Sequence, residues 1–244
     1  GCTMIDAGIQ VGVVYPQIEL GGEADAVRAI GDAIEAQGYR HLVAYDHVLG
    51  AEQADRQPEL TGPYDENDPF HDPFVLFAYL AGRSDTLEFA SGVLILPQRQ
   101  TALVAKQAAD LAVLSGNRLR LGVGVGWNWV EYEALGEDFA TRGQRANEQI
   151  ELLRRYWTEP TVSFAGRFDR VERAGIVPRP SMSPPVWVGG FGAASLRRAV
   201  RLGDGFIFGG PRIHVAEQWA RLKELLAEAG RPLEGFGAEY LILS

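Results

Sequence analysis

Histidine is the side chain that gives or takes a proton near neutral pH, and this chain has four of them. One of them, His47, ends the apolar run "HLVAYDH" (41–47) and follows Asp46 directly. A carboxylate can orient an imidazole for acid–base work, although adjacent residues of a strand face opposite sides. A histidine at a strand end can equally well bond loop backbone, so the pair alone leaves both roles open. His41, His47, His71 and His214 have no metal-ligand spacing, and no metal is expected. There is no G-x-S-x-G elbow and no phosphate-binding Walker loop.

The second stretch able to do chemistry is "RLRLGVGVGWNWVEYEALG" (118–136). Gly122, Gly124 and Gly126 are spaced G-x-G-x-G, and Trp127 stands where the dinucleotide fingerprint G-x-G-x-x-G needs its third glycine, so that reading fails on spacing. In a strand the three glycines share one bare face, which lets a flat ring or another piece of backbone come close. Ligand contact and tight packing both remain open. Trp127 and Trp129, just past the strand, can wall a flat ligand. Glu131 and Glu133 read as solvated or structural. A third stretch, "VWVGGFGAAS" (186–195), runs from strand through glycines into a helix, whose free N–H groups suit a phosphate; ordinary strand-to-helix turns use the same residues.

The elements that must position these groups alternate. Strands are expected at 9–16, 41–47, 87–97, 118–126, 184–190, 204–210 and 236–244. Helices are expected between them, at 24–37, around 73–81, after Thr101 as cap, after a Thr141–Gln144 capping box, at 193–203 and over 215–229. A hairpin turning near Gly166 interrupts the pattern. The loop 48–72 is too long for a plain connection and reads as a lid or binding loop. Strand–helix alternation argues for a parallel sheet, as an open doubly wound sheet or a closed barrel. Polar and glycine residues recur at the C-terminal strand ends, where barrel enzymes work, and favour the barrel. Seven strands fall one short of closure, so the natural chain is expected to continue by one or more βα units.

The chain has 244 residues and a net charge of −9. Phosphate backbones need a basic face, so nucleic acid is not an expected partner. Apolar runs are too short to span a bilayer, and with no signal peptide the cytoplasm is the default location. A lone Cys2 excludes a disulfide framework. Residues 1–8 read as an N-terminal stub or tag remnant, and 9–244 as one barrel domain with an inserted hairpin at about 160–180.

Taken together, "RLRLGVGVGWNWVEYEALG", "YDHVLG", "SGVLILP" (91–97) and "PVWVGG…LGDGFIF" resemble the bacterial luciferase-like oxidoreductases, and most of all the branch that uses the deazaflavin coenzyme F420. The resemblance covers essentially the whole chain. It implies a (β/α)8 TIM barrel, here without its final βα unit, and a flavin-like cofactor at the C-terminal face. It also implies a non-prolyl cis peptide at Gly92–Val93, bracing the cofactor ring together with Ser91. Further cofactor contacts are implied at Gly124, Gly126 and Trp127, with the phosphate end near Val188, Gly189, Gly190 and Phe191. His47, with Asp46 behind it, would face the substrate, in a pocket shaped by Tyr15, Tyr64, His71 and Trp129. Arg99 could approach an anionic cofactor tail. Sugar-phosphate dehydrogenases of this kind carry an acidic proton donor near Trp127, so its absence here weakens that substrate.

The expected function is hydride transfer between coenzyme F420 and a small organic substrate. The alternatives are an FMN-dependent monooxygenase of the same fold and a non-catalytic cofactor-binding protein. Barrels of this kind commonly pair, and Trp219 is expected to be an exposed aromatic suited to a homodimer interface.

Overall fold

The computed structural model describes residues 8–242. Of the expected N-terminal stub, residues 1–7, with Cys2, lie outside the described residues. In chain order the elements begin with β1 (Val13–Val14), α1 (Ala24–Ala36), β2 (His41–Ala44) and α2 (Pro73–Ala81). Then come β3 (Glu88–Ser91), β4 (Leu94–Ile95), α3 (Thr101–Ser115), β5 (Leu119–Gly124), α4 (Trp129–Ala134) and α5 (Arg142–Thr158). The hairpin β6 (Val162–Ala165) and β7 (Arg170–Ala174) follows, then β8 (Val186–Gly189), α6 (Ala193–Leu202), β9 (Gly205–Phe208), α7 (Arg212–Glu228) and β10 (Gly237–Tyr240).

The main sheet is wholly parallel, in the order β1-β2-β3-β5-β8-β9-β10, with β4 resuming the line of β3 and pairing β5. Alternation decides which face goes where. Leu42 and Ala44, Leu119, Leu121 and Val123, Val186 and Val188, and Phe206 and Phe208 are buried in the core together with helix residues such as Val104, Ala108, Ile150, Leu153 and Leu226. Each of the Val, Leu, Ile and Phe side chains contributes roughly 1.5–3 kcal/mol on burial. The intervening residues, His41, Val43, Arg120, Trp187 and Glu239, line the other face.

That other face is concave. His41 Nε2 lies 2.6 Å from Glu239 Oε2, and Arg120 Nη2 donates to the same oxygen at 2.6 Å. Contact between the second and the last strand of the order requires the sheet to curl into most of a barrel. The floor is finished by Trp187, whose ring carries the Arg120 guanidinium at 3.9 Å. Gly205 and Gly237 lie against that ring, and a Cβ at either would overlap it. Among the described residues β1 and β10 do not pair with each other, and a cleft of about 1160 Å³ runs from floor to mouth along both.

Several expectations need correcting. Thr101 does not cap α3: it is already helical, and its hydroxyl donates to Asp169 at 2.9 Å. Thr141 and Gln144 form no capping box; Gln144 accepts from Arg167 instead. β1 is two residues long, because beyond Val14 the chain turns at Pro16. Trp219 is not an exposed aromatic: it packs on the core, edge-on to Phe208 at 5.9 Å. α4 was not expected at all.

Although burial alone would raise it, the Glu239 carboxyl is held below its ordinary value of 4.5 by the hydrogen bonds and charge of His41 and Arg120. A carboxyl depressed in the folded state stabilises the fold fully above its unfolded value and loses that contribution as pH falls below it. In thermal melts, wild type should exceed Glu239→Gln in Tm at neutral pH, and the gap should close as pH is lowered below 4.5.

Candidate active site at the mouth of the barrel

His47 lies just past the C-terminal end of β2. Its Nδ1 is 2.8 Å from Glu131 Oε2. The other oxygen of Glu131 accepts from the backbone N–H groups of Val48 at 2.7 Å and Leu49 at 3.3 Å. Glu131 is 0% exposed, so of the two readings, solvated or structural, it is not the solvated one. It is aimed by α4, whose N-cap Asn128 accepts from Val130 N and Glu131 N. The spacing Asn128-x-x-Glu131 is a helix-start signature, and it was the available signal for this helix. A carboxylate oxygen accepts, so the ring hydrogen sits on Nδ1. Nε2 has no hydrogen-bond partner among the described residues.

Asp46 is not the partner of His47. It points to the opposite side, as strand alternation requires. There it accepts from Ile95 N at 2.9 Å and from Arg99 at 2.7 Å. Arg99 also pairs with Asp72 at 3.0 Å, the N-cap of α2. With two carboxylates on it, this guanidinium is committed to joining β2, β4 and α2, not to an anionic tail.

Aromatic rings close around His47. Phe70, Tyr64 and Trp127 stand edge-on to it at 4.9, 5.3 and 5.7 Å. Tyr64 and Phe70 come from the long loop 48–72. Gln53 ties that loop together, donating to the carbonyls of Gly62 and Tyr64 and accepting from Gly62 N. Gly62 lies flat on Trp127, where a Cβ would overlap the indole. His71 does not join the pocket: its Nε2 donates to Gly22 O at 2.9 Å and anchors the loop outside. Trp129 also stays out, facing Arg56.

The bare glycine face is filled by protein. The Gly92–Val93 peptide is cis, and it separates β3 from β4. Val93 projects onto Gly124 and Gly189, where any side chain would collide with it. Gly122 abuts the Ser91 carbonyl, while Ser91 Oγ donates to Gly122 O at 2.7 Å. Gly126, at φ 66°, lies against Ile95. These glycines therefore receive the kink of the neighbouring strand. Val188 faces the helices, and its side chain touches Gly203, so its side chain is not turned toward the barrel interior. Phe191 is 79% exposed, rests on Gly209 and Gly210, and accepts from Gln218 through its carbonyl. Next to it, α6 starts at Gly192 with no side-chain cap, which leaves its first N–H groups free.

The upper cleft is walled by Tyr15, Gln17, Val43, Tyr45, Tyr64 and Phe70. Of the expected pocket residues, Tyr15 and Tyr64 are there. His47 meets the cleft through Tyr64 and Phe70. Burial, reinforced by Tyr64, pushes the Tyr45 hydroxyl up to about 12, so it stays protonated across the physiological range.

With this geometry in hand, comparison with known proteins is decisive for the family. The sequence profile described as "Luciferase-like monooxygenase" matches residues 4–241. The chain belongs to this family. An uncharacterised protein of Mycobacterium tuberculosis is 38% identical over 208 residues, 83% of this chain and 72% of that one. The F420-dependent hydroxymycolic acid dehydrogenase of the same organism is 29% identical over 225 residues, covering 91% of this chain and 58% of its own. Among solved structures, the monooxygenase RslO1 of Streptomyces bottropensis superposes with a TM-score of 0.78 at 21% identity, over 94% of this chain and 69% of its own; at that identity the likeness concerns the fold. As a member of the luciferase-like family the chain is an oxidoreductase, and its cofactor is a flavin or a deazaflavin. No described helix is long and apolar enough to cross a membrane.

Glu131→Ala would leave the buried His47 ring and the backbone N–H groups of Val48 and Leu49 without their acceptor. Urea unfolding should show a loss of about 3 kcal/mol, the range for breaking a buried charged hydrogen-bond network.

Proposed function

We propose that this luciferase-like protein transfers a hydride between coenzyme F420 and a small organic substrate, with His47 as the acid–base group. The observation that carries the reading is the His47–Glu131 pair behind the aromatic wall of a cleft large enough for a tricyclic ring. The F420-dependent relative adds weight to the deazaflavin over FMN.

The residues fit such a group. The cleft is walled mostly by apolar and aromatic side chains, and the Gly92–Val93 kink enters the barrel beside Val43, while Leu241 stands close to Gly92. The kink would back the ring. The backbone of Gly189, Gly190 and Phe191, with the uncapped start of α6, would receive the anionic tail. When bound, the deazaflavin supplies the hydride chemistry.

The chain does the rest. Glu131 holds the hydrogen of His47 on Nδ1 and stabilises the ring when it is charged. Nε2 is then the atom that gives or takes the substrate proton. Tyr64, Phe70 and Trp127 exclude water from it. Because Tyr64 and Phe70 pack on the ring, they part when substrate reaches Nε2.

Fluorescence titration tests the cofactor: deazaflavin should quench at micromolar concentration, and FMN binding without deazaflavin binding overturns the reading. His47→Ala should lower kcat by about 10²–10⁴ and leave cofactor affinity within about twofold, the signature of a group acting in the chemical step.

A further inference from the structure

The chain carries a net charge of −9, yet arginines gather without counter-ions where α5 and α6 meet. Arg198, on the second turn of α6, is 9% exposed. Its Nε donates to Asn147 Oδ1 at 2.7 Å and its Nη2 to Gly143 O at 3.1 Å. Both acceptors are neutral, and no carboxylate pairs with Arg198 among the described residues. Burial and the charge of Arg201, one turn further on, hold the Arg198 guanidinium below its ordinary value of 12.5. It stays charged all the same, and a buried cation left without an anion is costly.

Two more accessible guanidinium groups flank it. Arg201 is exposed and makes no ion pair among the described residues. Arg142, half-buried and next to Gly143 in the chain, lies over the Phe139 ring at 3.7 Å and donates to Phe139 O, again a neutral acceptor. The acids nearby are engaged. Glu137 holds Arg145, Asp204 holds Arg154, and Glu148 accepts from the backbone of Arg167, Phe168 and Asp169 at the hairpin turn. Glu151, exposed on α5, forms no ion pair among the described residues.

This cluster lies close to the mouth. The first turns of α5 stand beside the end of β4, where Gln149 donates to Leu96 O and Arg99 O. Along α6, Arg198 comes about 9 Å after the uncapped start at Gly192, the place read above as receiving the anionic end of the cofactor. FMN stops at its phosphate. Coenzyme F420 continues past it, through lactate into a chain of γ-linked glutamates that each carry a carboxylate.

We propose that Arg142, Arg198 and Arg201 bind the glutamate carboxylates of the F420 tail. Arg142 and Arg201 make the contacts, and Arg198 supplies fixed positive charge between them. The site adds affinity for F420 that FMN cannot gain. It rests on the reading above that the cofactor is F420 with its phosphate at the start of α6.

The test is fluorescence titration with F420 carrying its glutamate chain and with the same coenzyme after removal of the glutamates. At low ionic strength wild type should bind the full coenzyme about tenfold more tightly, as a few partly exposed charge pairs allow. Near 1 M salt, where the Debye length is about 3 Å, the advantage should vanish. Arg142→Gln combined with Arg201→Gln should remove most of it at low salt. That variant should keep its affinity for the glutamate-free coenzyme within about twofold, with Tm near that of wild type. Equal affinity of wild type for the two forms, or an advantage that survives in the double variant or in 1 M salt, overturns the proposal and leaves the F420 reading standing. Binding of FMN with no binding of either deazaflavin overturns both.

Discussion

A carboxyl group with no access to water has to be answered from within the protein. Glu131 is answered by the His47 ring and by the N–H groups of Val48 and Leu49, and the architecture of the barrel mouth follows from that. The pair fixes where the chain leaves β2, and so where the long loop begins. It fixes the ring plane on which Tyr64, Phe70 and Trp127 pack. It also commits α4 to its position, since a helix displaced by one turn would carry Glu131 out of reach. Asp46 performs the matching task on the other side of the strand, where Arg99 joins it to the start of α2.

The two ends of the barrel interior are closed by different physics. The floor is ionic: Arg120 and His41 share Glu239, and Trp187 lies between Arg120 and the backbone of Gly205 and Gly237. The mouth is aromatic and hydrogen-bonded. Between them the wall is apolar, with Val93 set into a slot made by Gly124 and Gly189. An oxidoreductase benefits from this layering, because a low-polarity middle strengthens the few directed hydrogen bonds that remain.

Much of this order was legible in the residues. Gly116 in the left-handed region ends α3, Pro73 opens α2, and the alternation of strands and helices led directly to a parallel sheet. The kink at Gly92–Val93 was reachable only through the family resemblance, since "SGVLILP" by itself reads as one buried strand. The Glu131 contact was out of reach for another reason. Its partner is 84 residues away, and local sequence shows an acidic residue on a short amphipathic turn, which is usually solvated. The same limit applied to Gly124: a bare strand face says that something approaches, and only the fold says that it is Val93. Adjacency misled for Asp46, where strand alternation outweighs nearness in sequence.

The cross-brace made by Gln53 has a mechanical consequence. By gripping Gly62 and Tyr64 together, it turns a long irregular segment into a single stiff panel resting on an indole. A panel swings about its hinges as one body, whereas a slack strap peels away residue by residue. Uncovering the imidazole on the Tyr64 side then means moving residues 53–64 together, because Tyr64 cannot leave without Gly62 and Gln53.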